Sequence, residues 1–266
     1  MIDIIHSIIL GAVQGLTEFL PISSSGHLVL IPAIFGWQYQ GVSFDVALHA
    51  GTALALIIFF WRDWVNIIKL AVSSKRSAVS GNYPSNILWQ ILVATIPAGI
   101  LGLLIDKYME NNIHSLLFIA FNFAFFGFLL WFVDRRAKND LEPGKLTYKK
   151  SFLIGLSQSV ALIPGVSRSG ITLTASRWLG LSREDAARFS FILSTPVIIG
   201  AFLVKLPSMA GEDMHLSFWL GILTATIFGL LAIKFLLNYL KKSDFSVFLW
   251  YRLAVAAFVI LWLALK

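Results

Sequence analysis

Pro21-Ile22-Ser23-Ser24-Ser25-Gly26-His27 decides how the rest of the chain is read. It sits inside an apolar run from 4 to 35 and interrupts it with a proline, three hydroxyls and a glycine. A second apolar run, 151–179, is interrupted in the same manner by Pro164-Gly165-Val166-Ser167-Arg168-Ser169-Gly170. Neither run reads as one crossing helix; each reads as two short helices about a polar turn. In lipid, irregular backbone is tolerated only where it is buried in protein or lines a cavity. Both runs are therefore expected to be re-entrant helical hairpins.

Outward from the breaks, the apolar runs lengthen. Six of them, at 43–61, 87–106, 114–133, 186–206, 216–239 and 246–265, approach the ~20 residues that a bilayer-crossing helix needs. Apolar residues make up 58% of the 266 positions and charged residues 13%, against about 25% charged in soluble domains. The expected fold is an all-α integral membrane protein with six transmembrane helices and two hairpins, forming a single membrane domain over 1–266. The N-terminus lacks a basic segment, the first Lys or Arg being Arg62, so no cleavable signal peptide is expected. The chain has no cysteine, which excludes disulfides and thiolate-held metals.

The net charge of +7 reads as a loop bias rather than as nucleic-acid binding. Basic residues cluster at 62–85 (Arg62, Lys69, Lys75, Arg76), at 134–150 (six), at 177–188 (Arg177, Arg183, Arg188) and at 234–252 (Lys234, Lys241, Lys242, Arg252). These are seventeen of the 21, and the positive-inside rule puts them in the cytoplasm. Both termini are then outside, with the first hairpin entering from outside and the second from inside. A shift of 144 places Gly11 on Gly155, Gln14 on Gln158, Ser23 on Ser167, Ser25 on Ser169 and Gly26 on Gly170. One half is 1–133 and the other 151–266, each a hairpin plus three spans, so the halves are expected to be inverted repeats. Transporters often place a site where such repeats meet.

The breaks also hold the polar chemistry. Gln14 and Glu18, four apart, share a helix face, and ionisable groups inside a membrane are usually functional. Each has a blander role: a neutral Glu18 or an interhelical hydrogen bond from Gln14. Ser23, Ser24 and Ser25 stand just before a helix, where one hydroxyl suffices as a cap and exposed amides suit a phosphate. His27, three residues after Ser24, is a proton carrier near neutral pH. Arg168 stands among Ser167, Ser169 and Thr172, and a guanidinium forks onto phosphate oxygens. Its alternative role is a structural ion pair with Glu18. His6 and His49 read as packing or pore-lining groups, and Ser182-Arg183-Glu184-Asp185 as a helix cap with acidic first turn.

Gln14 to Glu18 resembles the (Glu/Gln)-x-x-x-Glu motif of the undecaprenyl-diphosphate phosphatase family, also called the bacitracin-resistance family. Pro164 to Thr172 resembles its Pro-Gly-x-Ser-Arg-Ser-x-x-Thr motif, and Pro21 to His27 its serine-rich stretch and histidine. The resemblance covers the whole chain. It implies hydrolysis of undecaprenyl diphosphate to the monophosphate and inorganic phosphate, recycling the carrier of cell-wall precursors in the bacterial plasma membrane. It further implies a divalent cation, Mg2+ or Ca2+, held by Glu18 with Gln14, and a site open to the outer face. On this basis Glu18, Ser24, His27 and Arg168 are the catalytic candidates. Ser23, Ser25, Ser167, Arg168, Ser169 and Thr172 are the phosphate-binding ones. Ser24 as nucleophile with His27 as its base, direct attack by His27, and a water activated by His27 all remain open. The expected partners are a polyprenyl diphosphate and the membrane, not nucleic acid; a second copy of the chain is allowed but not required. A polyprenyl-phosphate transporter or flippase is the competing class.

Overall fold

The computed structural model describes residues 3–72, 84–112, 115–206 and 215–266. Among them are ten α-helices and no β-strand. They are α1 (Ile4–Phe19), α2 (Ser24–Phe35), α3 (Val42–Val72), α4 (Ile87–Asn112), α5 (Leu116–Arg136), α6 (Tyr148–Gln158), α7 (Arg168–Trp178), α8 (Arg183–Lys205), α9 (Leu216–Leu240) and α10 (Ser246–Ala264). Six helices, α3, α4, α5, α8, α9 and α10, are long and apolar enough to cross a membrane, at the six places the hydropathy pattern predicts. Trp61, Trp89, Leu104, Phe121 and Leu261 are exposed around the outside. So broad an apolar surface suits lipid and not water.

α3 is longer than expected. It continues past a kink at Phe60 (φ −100°, ψ 17°) to Val72, which carries Arg62 and Lys69 on helix rather than loop. Lys75 and Arg76 lie outside the described residues. Two of the cations assigned to loops are buried instead. Arg177 is 1% exposed and donates to Asp134 from Nε (2.7 Å), while Arg183 grips the same carboxylate from Nε and Nη2 (3.0 and 2.9 Å). That clip joins α5, α7 and α8. Arg252 is 0% exposed within α10. Counting basic residues along a sequence cannot separate a solvated loop charge from a buried one. The cap at Ser182 does form: its Oγ accepts from Asp185 N at the start of α8.

Helix contacts cross between the two halves of the chain. α1 lies along α9 and α6 along α4; α3 packs on α8 and α5 on α10; α3 meets α9 as α8 meets α4. Small residues allow the closest approaches, because no hydrophobic effect drives helices together in lipid and backbone proximity must do so. Gly11 and Gly15 of α1 face Gly221, Ala225 and Gly229 of α9; a Cβ on Gly11 would stand 2.5 Å from the Gly221 carbonyl oxygen. Gly155 of α6 abuts the Ala94 backbone of α4 in the same manner. Under the end of α1, Phe19 meets Phe191 edge-on at 5.5 Å, closing the core below the first break.

Candidate active site

Each break is built on a serine in an unusual backbone state. Ser23 has φ 73° and Ser167 has φ 77°. Non-glycine residues rarely take positive φ, and such strain concentrates at functional sites. The conformation turns each serine back as an N-cap. Ser23 Oγ accepts from Gly26 N (3.4 Å) and Ser167 Oγ from Gly170 N (3.1 Å). Each cap also contacts a second serine, Ser23 with Ser25 at 3.3 Å and Ser167 with Ser169 at 3.1 Å. The breaks touch: Ser169 Oγ donates to the Leu20 carbonyl (3.0 Å). The starts of α2 and α7 thus converge.

At the convergence lies Glu18, at 6% exposure. Arg168 Nη2 donates to its Oε1 at 2.5 Å. Its Oε2 accepts from Gln14 Nε2 (3.0 Å) and from the Ser24 hydroxyl. His49 Nε2 stands 3.6 Å from the same oxygen, and His49 Nδ1 points at the Asp45 carbonyl (2.7 Å). Two buried atoms of this group, Arg168 Nη1 and Gln14 Oε1, are among those without a partner in the described residues. Buried polar atoms rarely go unsatisfied without a reason. Here a strong donor and a strong acceptor are both left over at one carboxylate.

The structure therefore brings Gln14, Glu18, Ser24 and Arg168 together next to the two capping serines, Ser23 and Ser167, each of which contacts a second serine, Ser25 or Ser169. Two predicted residues face elsewhere. His27 does not reach Ser24. Its Nδ1 lies 2.7 Å from the Ser23 carbonyl and must carry the proton there, so Nε2 accepts from Tyr251 OH, also at 2.7 Å. Spacing of three along a helix puts Ser24 and His27 near one face, but the turn at Ser23 offers the ring a nearer acceptor. Thr172 Oγ1 bonds the Arg168 carbonyl (2.8 Å) and Ser190 Oγ (2.6 Å), so it ties α7 to α8. Pattern reading passed over Tyr251 and Asn122, whose Nδ2 holds the Pro164 carbonyl at 2.8 Å, and gave His49 and Arg252 other places, as a packing or pore-lining group and as a cytoplasmic cation. The available signal was a polar or charged side chain inside an otherwise apolar span.

Helix breaks paired around a Glu–Arg couple, inside six apolar spans, define a multi-pass membrane protein with a polar centre. The chain belongs to the family described as bacitracin resistance protein BacA, whose model matches residues 7–258. It is 43% identical over 257 residues to the undecaprenyl-diphosphatase of Pelotomaculum thermopropionicum, covering 97% of this chain and 96% of that protein. It is 42% identical to the undecaprenyl-diphosphatase of Moorella thermoacetica, covering 97% of each. It is 39% identical to that of Methanosphaera stadtmanae, covering 94% of this chain and 95% of the relative.

Proposed function

We infer that this chain is a membrane phosphatase that hydrolyses undecaprenyl diphosphate to undecaprenyl phosphate and inorganic phosphate. It thereby recycles the lipid carrier of cell-wall synthesis in the bacterial plasma membrane. The observation that carries this reading is Arg168, whose Nη2 holds Glu18 while Nη1 is buried without an acceptor. A phosphate oxygen supplies that acceptor and matches the guanidinium fork. The names of the relatives add the substrate. The apolar helices around the site suit a prenyl tail, which leaves only the diphosphate to be recognised by polar groups.

The contacts support one course for the reaction. Ser24 Oγ attacks the terminal phosphorus, and its proton passes to Glu18, which already accepts the hydroxyl. Arg168 and the amides opening α2 and α7 take up charge on the equatorial oxygens. The anhydride P–O bond breaks and undecaprenyl phosphate leaves. Water then displaces Ser24 from phosphorus; Glu18 returns its proton to Ser24 Oγ, and the proton from water leaves with inorganic phosphate. His27 supports the Ser23 turn rather than moving the Ser24 proton. Glu18 and the unpartnered Gln14 Oε1 would hold a divalent cation of the Mg2+ kind, which takes one or two carboxylates and fills its remaining positions with substrate phosphate and water. When bound, that ion neutralises phosphate charge.

The site opens to the outer face, both termini are outside, and the two broken segments 4–35 and 151–179 are re-entrant hairpins of inverted halves, 1–133 and 151–266. The matched serine caps and the exchange of α1–α9 for α6–α4 contacts support the repeat relation of the halves, and the bias of basic residues supports the orientation. Phosphate release from undecaprenyl diphosphate by purified protein in detergent tests the function. Release by the wild-type protein that is lost in Arg168→Ala is expected. No release from folded wild-type protein, with and without Mg2+ or Ca2+, would overturn it in favour of a lipid transporter, because detergent removes the compartments that transport needs.

A further inference from the structure

Arg252 is the seventh residue of α10 and is fully buried. Its guanidinium meets no carboxylate among the described residues. All its hydrogen bonds go to backbone carbonyls. Nε donates to Phe123 O (2.8 Å). Nη1 donates to Pro21 O and Val166 O, each 3.2 Å. Nη2 donates to Gly165 O (2.7 Å), Asn122 O (2.9 Å) and Val166 O (3.2 Å). One side chain thus grips the first break at Pro21, the second break at Gly165 and Val166, and α5 between them. Room for it comes from Gly127, where a Cβ would stand 3.1 Å from Arg252 Cδ.

We propose that Arg252 is a positioning residue of the phosphate site, a fork that locks the two helix breaks to each other from behind. This rests on the phosphatase reading of the site. The peptide plane supplies the mechanism. A trans peptide points its carbonyl and the next N–H in opposite directions, so drawing the Val166 carbonyl toward Arg252 turns the Ser167 N–H away from it. The same grip sets where Arg168 and the Ser167 cap begin α7 relative to Glu18 and Ser24. The clamp needs five donors in a planar array, which an ammonium cannot supply. The guanidinium also adds an unneutralised positive charge behind a site meant for a diphosphate, while Glu18 and Arg168 offset each other.

The test compares Arg252→Lys, Arg252→Gln and Gly127→Ala with wild type. Phosphate release is measured from undecaprenyl diphosphate in detergent, and kcat is normalised to folded, monodisperse protein. Positioning predicts that kcat falls by about 10²-fold in both Arg252 variants, with a smaller change in KM, because a misplacement near 1 Å costs that much. Lys should not rescue. Gly127→Ala presses on the clamp with the guanidinium retained and covers the case in which the Arg252 variants do not fold; it should lower kcat as well. Arg252→Lys within about twofold of wild-type kcat would show that charge alone matters and overturn the proposal. So would full kcat per folded molecule in Gly127→Ala. Wild-type protein that releases no phosphate would instead remove the phosphatase reading on which the proposal rests.

Discussion

Removing one member of the Glu18–Arg168 pair should harm the fold more than removing both. The side chains are 5% and 14% exposed and 2.5 Å apart. Breaking a buried pair costs about 3–5 kcal/mol, whereas replacing both members by apolar groups of similar volume is often near neutral. The contacts predict an asymmetry within that range. In Arg168→Met, Glu18 keeps Gln14 and Ser24 as donors, so the cost should lie near ~3 kcal/mol. In Glu18→Leu, Arg168 Nη2 loses its acceptor beside an Nη1 that already has none, which leaves the guanidinium without a carboxylate, so the cost should approach ~5 kcal/mol. The double variant should then be at least ~2 kcal/mol more stable than Glu18→Leu, about 30-fold in the unfolding equilibrium. Reversible unfolding in mixed detergent–SDS micelles, followed by circular dichroism, measures all three. Phosphate release should be absent from each. If the double variant equals the sum of the singles within about 0.5 kcal/mol, the two side chains are not coupled and the reasoning fails.

Ser24→Ala should lower phosphate release by at least about 10³-fold if the hydroxyl is the nucleophile; near-normal turnover would show that water attacks directly. Chelation should suppress activity, and Gln14→Leu should raise the Mg2+ or Ca2+ concentration for half-maximal rate by about tenfold, read by cation titration. Tyr251→Phe removes the donor to His27 Nε2 and should cost about 1 kcal/mol in unfolding experiments, while kcat changes by less than about tenfold. Gly155→Val should yield no folded protein, because the new Cβ enters the Ala94 backbone of α4. Gly99→Ala, in the same helix but facing open space, should change stability by no more than about 1 kcal/mol, in the stabilising direction.

The six spans and the two breaks were legible in the sequence because both are local. A bilayer requires some 20 apolar residues in succession, and Pro, Gly and Ser interrupt a helix wherever they occur. Glu18 and Arg168 were legible for a related reason: ionisable groups are costly inside a membrane, so their presence within apolar runs marks them singly. Their pairing was legible only as an alternative role for Arg168, an ion pair that the structure does form; 150 positions separate the two, and the packing of α1 near α7 makes them neighbours.

The chain itself therefore determined the class of the protein, its breaks and the chemistry stored at each. The tertiary structure alone decided which groups meet. Ser24 meets Glu18 rather than His27 because Ser23 adopts φ 73° and offers its carbonyl to the histidine ring. Arg252 looked like one more loop cation, yet it ends on carbonyls from both breaks and from α5. A residue's charge is written in its identity, but its partner depends on which backbone groups lack a hydrogen bond after every helix has packed.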